Sequence, residues 1–246
     1  MSIKKIIASF VLAGLAATSC VPTYVANTRN VPMFDEAKEF TANVSYFSGI
    51  DAQVAYSFSD HIAAMANGNV IIKKTGFPLA YIPRSPNHLF GEGGIGYFTK
   101  RNDLHLEIFG GYGVGQGYGN DPRVLFFVED PWIAVKGRYN RIFAQPSISF
   151  GRDNSTFIVT SRFSAVSFSS FVTDVDSLNA SIRPQPKGYR VFFEPALTWR
   201  FDLANHFKGY VQLGLNVPLR SVTYYSNVFQ LAAGIQFRGH SRKDGN

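Results

Sequence analysis

The chain has one cysteine, two tryptophans and three methionines in 246 residues, and only 17% of it is charged. A single cysteine excludes an internal disulfide framework. With no paired Cys/His spacing it also gives no structural zinc site. Neither HExxH nor G-x-S-x-G occurs. Beyond the first twenty residues no stretch has the roughly 20 apolar residues that a membrane helix needs. If the mature chain spans a membrane, it must do so as closed strands, the one other architecture that satisfies every backbone polar group in lipid. The net charge of +7 is spread along the chain, so it gives no nucleic-acid footprint.

The N-terminus has the layout of an export signal. Lys4 and Lys5 precede an uncharged run from Ile6 to Ala17, and the small residues Ala16, Ala17 and Ser19 lead to Cys20. The stretch Leu15-Ala16-Ala17-Thr18-Ser19-Cys20 resembles a bacterial lipobox. That resemblance implies cleavage before Cys20 and a covalent diacylglycerol and fatty acid on its sulfur; no other cofactor is implied. Residues 1–19 are therefore read as a signal peptide, whose removal takes Lys4 and Lys5 and lowers the formal charge from +7 to +5. Residues 20–38 are polar, carry Pro22 and Pro32 and show no periodicity. They read as a lipidated tether.

From Phe40 onward the dominant signal is alternation with period two, the mark of strands with unlike faces. Ile50, Ala52, Val54, Tyr56 and Phe58 alternate with Asp51, Gln53, Ala55 and Ser57. Phe229, Leu231, Ala233, Ile235 and Phe237 repeat the pattern at the far end. Ten such runs are present, near 39–47, 50–58, 61–72, 89–98, 104–115, 135–150, 155–168, 191–201, 208–217 and 227–237. Most have the length a tilted strand needs to cross a bilayer.

The connectors alternate between short (59–60, 99–103, 151–154, 202–207) and mostly long (73–88, 116–134, 169–190 and the shorter 218–226), the first member of the second set, around Ser48-Gly49, being short. Short periplasmic turns facing long extracellular loops are the habit of transmembrane barrels. The expected fold is all-β, one up-and-down antiparallel transmembrane barrel over 39–237 with a polar, plugged lumen. A polar tail, 238–246, follows. Pro146 and Pro195 fall inside predicted strands, where proline cannot donate to the ladder, so eight strands is the alternative count. An even count returns both termini to the periplasmic side. Small residues on the polar faces (Gly94, Gly96, Gly111, Gly113, Gly214, Ala232, Gly234) suit a crowded lumen. Aromatics near strand ends (Tyr56, Phe58, Tyr97, Phe150, Trp199, Phe201, Phe237) suit an interfacial girdle. A soluble periplasmic β-barrel binding protein would point its apolar faces inward instead.

Several short segments carry a family likeness: Asn27-Thr28-Arg29-Asn30-Val31-Pro32-Met33-Phe34, Gly49-Ile50-Asp51-Ala52-Gln53-Val54-Ala55-Tyr56, Asp60-His61-Ile62, Ala66-Asn67-Gly68, Tyr139-Asn140-Arg141 and Gln145-Pro146-Ser147. In these the chain resembles small outer-membrane barrel lipoproteins of Bacteroidota. The resemblance implies a barrel lipoprotein and no activity. The strand ending at Phe237 resembles the signal read by the barrel-insertion machinery, although Arg238 to Asn246 follow it. Surface-displayed lipoproteins of that phylum tend to carry acids after the cysteine; Val21-Pro22-Thr23-Tyr24 has none, which implies a periplasm-facing anchor.

Candidate chemistry begins with the polar faces, which carry Asp51, Glu92, Glu107, Glu194, Arg141, Arg162 and Arg200. Four acids and three arginines nearly balance. In a barrel of about ten strands the interior is narrow and filled by side chains, so these groups must pair. An Arg–carboxylate network that plugs the lumen is the expectation, with a gate or narrow ion path as the functional variant. His105 and Glu107 share a face and form a possible acid–base pair. Gly91-Glu92-Gly93-Gly94-Ile95-Gly96 matches G-x-G-x-x-G by letters, but no helix is expected after it. Tyr81, Phe126, Phe127 and Trp132 stand among charges in the long connectors and are candidate loop contacts. Asp176-Ser177-Leu178 resembles an O-glycosylation motif of the same phylum.

The expected function is an outer-membrane barrel lipoprotein with a structural or loop-mediated binding role. No catalytic residue is assigned. Its expected partners are outer-membrane lipids, lipopolysaccharide and, during biogenesis, the insertion machinery. Two other classes stand beside it: a lipid-modifying or proteolytic barrel enzyme, and a narrow channel.

Overall fold

The computed structural model describes residues 23–240 except 48, 73–86, 102, 121–132, 153–154, 176–184, 223 and 225. The signal peptide, Cys20, Tyr81, Phe126, Phe127, Trp132 and Asp176–Leu178 lie outside the described residues.

Ten long antiparallel strands close on themselves. They are β1 (Glu39–Phe47), β2 (Ile50–Ser57), β3 (Ile62–Ile72), β4 (Asn87–Arg101), β5 (Leu104–Asn120), β6 (Ile133–Arg152), β7 (Ser155–Val175), β8 (Arg190–Ala204), β9 (Phe207–Leu215) and β11 (Phe229–His240). Each pairs with the next long strand in sequence, and β11 returns to β1 from Glu39↔His240 to Phe47↔Ala232. The two-residue β10 (Val217–Pro218) continues the line of β9 past Asn216 and pairs with β8. The result is a ten-stranded up-and-down barrel, as the alternation predicts.

The faces decide which environment suits the outside. Val44, Val54, Leu89, Ile95, Ile108, Val114, Leu213 and Ile235 project outward and are exposed, whereas Asn43, Gln53, Glu92, Arg141, Arg162, Thr198, Gln212 and Gln236 point inward and are buried. A water-soluble barrel has the opposite polarity. Trp199 and Phe201 (ring centroids 4.9 Å apart), Phe150 and Phe157 (6.2 Å), and Tyr56 and Phe58 (5.1 Å) lie on the outer surface near the end with short turns.

Both prolines sit where a ladder is interrupted. Pro146 pairs with Ile108, but the β6–β7 ladder skips Gln145–Pro146 against Ser161–Arg162. Pro195 pairs with Ser161, and the β8–β9 ladder begins one residue later at Ala196↔Gly214. Each missing N–H therefore faces a gap, and neither strand breaks.

Several strands outrun the alternation, β7 the furthest. β7 continues to Val175 because a bulge at Ser169, between the pairs Tyr139↔Phe168 and Arg138↔Ser170, shifts the inward face by one residue. Phe171 is buried where strict period two would turn it out. β11 runs to His240, so Arg238 belongs to the barrel wall opposite Thr41 and not to a polar tail.

Candidate functional site: a sealed lumen

The largest departure from the sequence reading is the stretch expected to be a tether. Thr23 to Phe34 is buried throughout. It runs down the barrel axis from the end with long connections to the end with short turns. At the first end the Thr23 carbonyl lies over Gly117, where an added Cβ would approach it to 2.3 Å. The Tyr24 carbonyl accepts a bond from Asn227 N (3.2 Å), which precedes β11. At the other end Phe34 packs on Phe98 (5.6 Å), and Asp35 meets Lys100 and His105 on the two sides of the β4–β5 turn. The first and last strands share the short-turn end, with Glu39 opposite His240, as an even count requires. Thr23 and His240 lie at opposite ends, because the lumen is where the peptide groups of this segment find partners.

Those partners come from the wall, one after another. Asp51 accepts from Thr28 N (3.3 Å) and Thr28 Oγ1 (2.8 Å). Gln53 Nε2 donates to Thr28 O (2.7 Å). Gln212 accepts from Arg29 N (2.7 Å) and donates to Arg29 O (3.1 Å), as a neighbouring strand would. Gln145 donates to Asn30 O (2.7 Å), Arg200 donates to Val31 O, and Glu107 accepts from Met33 N (3.0 Å). A peptide with no strand beside it would otherwise leave buried N–H and C=O groups unmet, at roughly 1–3 kcal/mol for each.

The segment is layered to match the lumen. Tyr24 joins an upper cluster with Phe90, Tyr139, Phe168, Phe192 and Tyr224. Phe34 joins a lower one with Met65, Phe98, Phe109 and Phe143, beside a small cluster of Val31, Met33 and Ile158. Asn27 to Asn30 occupy the polar layer between. There Arg141 donates to Glu92 and to Tyr24 Oη (3.1 Å), and Tyr24 donates to Glu194 (2.7 Å). Arg141 and Arg162 both donate to Asn27 Oδ1 (2.6 and 2.9 Å). Arg162 lies 3.6 Å from Glu92, and Arg29 lies 3.9 Å from Glu194. The guanidinium carbons of Arg141 and Arg162 stand over the Phe90 and Phe143 rings at 4.3 and 5.0 Å.

Of the seven wall charges named from sequence, Glu92, Arg141, Arg162 and Glu194 come together in this network. Asp51, Glu107 and Arg200 instead hold the threaded backbone. Sequence reasoning missed Arg29, a further guanidinium that the threaded segment brings into the polar layer beside Glu194. It also missed the backbone-binding role of Gln53, Gln145 and Gln212. The signal was present in two places. Asn27-Thr28-Arg29-Asn30 is a polar block between two apolar ones, and the inward faces of β4 and β5 are rich in glycine. Inward glycines leave room that a sealed lumen must fill.

His105 and Glu107 do not pair. His105 Nε2 lies 2.6 Å from Asp35 Oδ1 and its Nδ1 lies 3.2 Å from Ser149 Oγ, while Glu107 faces Met33 N. Asp35 also meets Lys100 (2.5 Å) and Arg238 (2.7 Å), and Arg238 bonds Glu39 as well. This cluster fastens the lower end of the segment to β1, β4, β5 and β11. Gly91–Gly96 lies within β4, followed by more strand.

No protein-family model and no curated protein matches the chain. Among solved structures it overlaps loosely with a KdgM porin (11% identity, TM-score 0.35, covering 82% of this chain and 99% of that one) and with a KdgM porin in complex with disordered oligogalacturonate (11%, 0.34, 82% and 99%). It also overlaps with OmpT, an outer membrane protein of Vibrio cholerae (9%, 0.25, 82% and 96%). At such scores these overlaps assign no function.

Proposed function

We propose that the protein is an outer-membrane barrel lipoprotein whose own N-terminal segment seals the lumen, so that it acts as a non-conducting envelope component through its lipid and its long connections. The observation that carries this reading is the capture of the peptide groups from Thr28 to Met33 by side chains of the wall. An apolar exterior supports insertion into lipid, where only a closed barrel leaves no strand edge unmet. Outer-membrane lipid and lipopolysaccharide are its surroundings, and the insertion machinery is its partner in assembly.

The test is conductance in planar bilayers. The intact chain gives a closed trace over many insertions, and a variant lacking residues 23–34 gives open steps. Steady conduction by the intact chain rejects the seal. Insertion itself is read separately, as heat-modifiable gel migration and extraction by detergent but not carbonate.

One observation favours a second reading. Asp35, His105 and Ser149 form an acid–imidazole–hydroxyl line in a cavity of about 540 Å³ that Lys100, Arg200 and Lys208 also line. In a hydrolase His105 would take the Ser149 proton as the hydroxyl attacks an ester carbonyl, then give it to the alkoxide that leaves as the ester C–O bond breaks; water would free the acyl group from Ser149 in the same way. Purified protein that cleaves p-nitrophenyl esters, and loses this on Ser149→Ala, supports it; absence of turnover rejects it.

A further inference from the structure

We infer that the protein carries its lipid on the side of the membrane that bears the long connections, with Cys20 displayed at the outer leaflet and the C-terminal strand ending on the opposite side. This rests on the reading of the chain as an outer-membrane lipoprotein and adds the leaflet.

The argument is one of direction and reach. Asp35 is fastened beside the β4–β5 turn and Thr23 lies over Gly117, near the end of β5 that leads into a long connection. From Thr23 to Asp35 the chain takes twelve steps, which extend to about 40 Å. That matches the roughly 30 Å of a hydrocarbon core with its ends beyond it. The segment therefore crosses the membrane once, inside the wall. Cys20 precedes Thr23 by three steps, and three steps reach about 11 Å at most. No path within that length leads back to the short-turn side.

The lumen cannot take the lipid instead. Tyr24, Phe192 and Tyr139 fill its upper end, with centroids 4.9 and 5.3 Å from the Tyr24 ring. Arg29 below is enclosed by Gln230, Leu215 O and Glu194. The acyl chains must then leave over the rim at the long-connection end and enter the leaflet there. Short turns face the periplasm in such barrels, so that leaflet is the outer one. Acids after the cysteine are not what sets the side here; threading is.

The experiment uses full-length protein in bacteria that process lipoproteins. Two single variants each add one thiol, Pro22→Cys and Asn246→Cys, and the acylated sulfur of Cys20 does not react. A membrane-impermeant maleimide labels P22C on intact cells and N246C only after permeabilisation. Labelling of P22C only after permeabilisation overturns the inference, as does labelling of N246C on intact cells. Incorporation of labelled fatty acid that is lost in Cys20→Ala completes the case; a chain that takes up no fatty acid overturns the lipid part whatever the thiols show. Heat-modifiable migration of the same samples reports whether the barrel itself stands, so failure of the membrane reading is seen apart from failure of the sidedness.

Discussion

Arg29 of the threaded segment donates to Gln230 on β11 and lies 3.9 Å from the Glu194 carboxylate on β8. It is the one guanidinium of the polar layer that the wall does not supply. Its removal leaves Glu194 with Arg141 at 4.0 Å and the Tyr24 hydroxyl as its close polar partners among those described. Breaking a buried pair by truncating one member costs roughly 3–5 kcal/mol, because a charge stays behind unmatched. Arg29→Met is expected to lower the temperature at which the folded band is lost in a heat-modifiability series. The double variant R29M/E194Q should recover part of that loss. A midpoint for R29M equal to the parent's shows that Arg29 contributes nothing to the seal.

The upper end of the segment depends on a glycine. Any side chain at Gly117 meets the Thr23 carbonyl at 2.3 Å, a backbone atom that cannot rotate away. Gly91, whose nearest such atom is 3.9 Å away, tolerates a methyl. Gly117→Val is expected to displace Thr23 and Tyr24, and limited proteolysis of intact protein in detergent should then clip the N-terminus. Gly91→Ala should behave as the parent does. Equal resistance in G117V and G91A refutes the close approach.

At the lower end the latch is electrostatic. Burial acts to raise the Asp35 carboxyl, but hydrogen bonds from His105 and Lys100 and the charge of Arg238 more than offset it and hold the group well below the usual carboxylate range. A depressed pKa contributes stability above the unfolded value, lost as pH falls from there toward the folded one. The difference in thermal midpoint between the parent and Asp35→Asn should therefore not shrink between pH 7 and about pH 4, and should shrink below that. A difference that vanishes by pH 6 assigns the effect to another group.

How far these features were legible follows from where physics acts locally. Alternation and connector lengths are local, and they located all ten long strands, with errors where a bulge shifts the faces, as at Ser169. The pairing of Glu92, Arg141, Arg162 and Glu194 followed from confinement, since charges in a narrow lumen must meet. The path of Thr23 to Phe34 was not legible by period, because that segment satisfies its backbone through distant side chains and repeats nothing. Arg29 reaches Gln230 across 201 positions. Only the polar block from Asn27 to Asn30 and the mismatch between a glycine-rich inward face and a filled lumen pointed to it.

The outside of the barrel offers the test that separates lipid from water. Ile95, near the middle of β4, is 63% exposed and pairs with Ala64 and Gly110 on its neighbours. In a water-soluble barrel a lysine there would be harmless, since its amine would stay hydrated. Against hydrocarbon it costs about 2–4 kcal/mol at the bilayer midplane and much less toward the interfaces. Ile95→Lys is expected to lower the stability of protein folded into lipid vesicles, measured by urea titration. Phe237→Lys, close to the short-turn rim, should have a smaller effect. The size of the loss thus tracks depth along the strand rather than the apolar area removed, which is greater for phenylalanine. If F237K is the more damaging of the two, side-chain area governs the outer face and the hydrocarbon belt is not centred on Ile95.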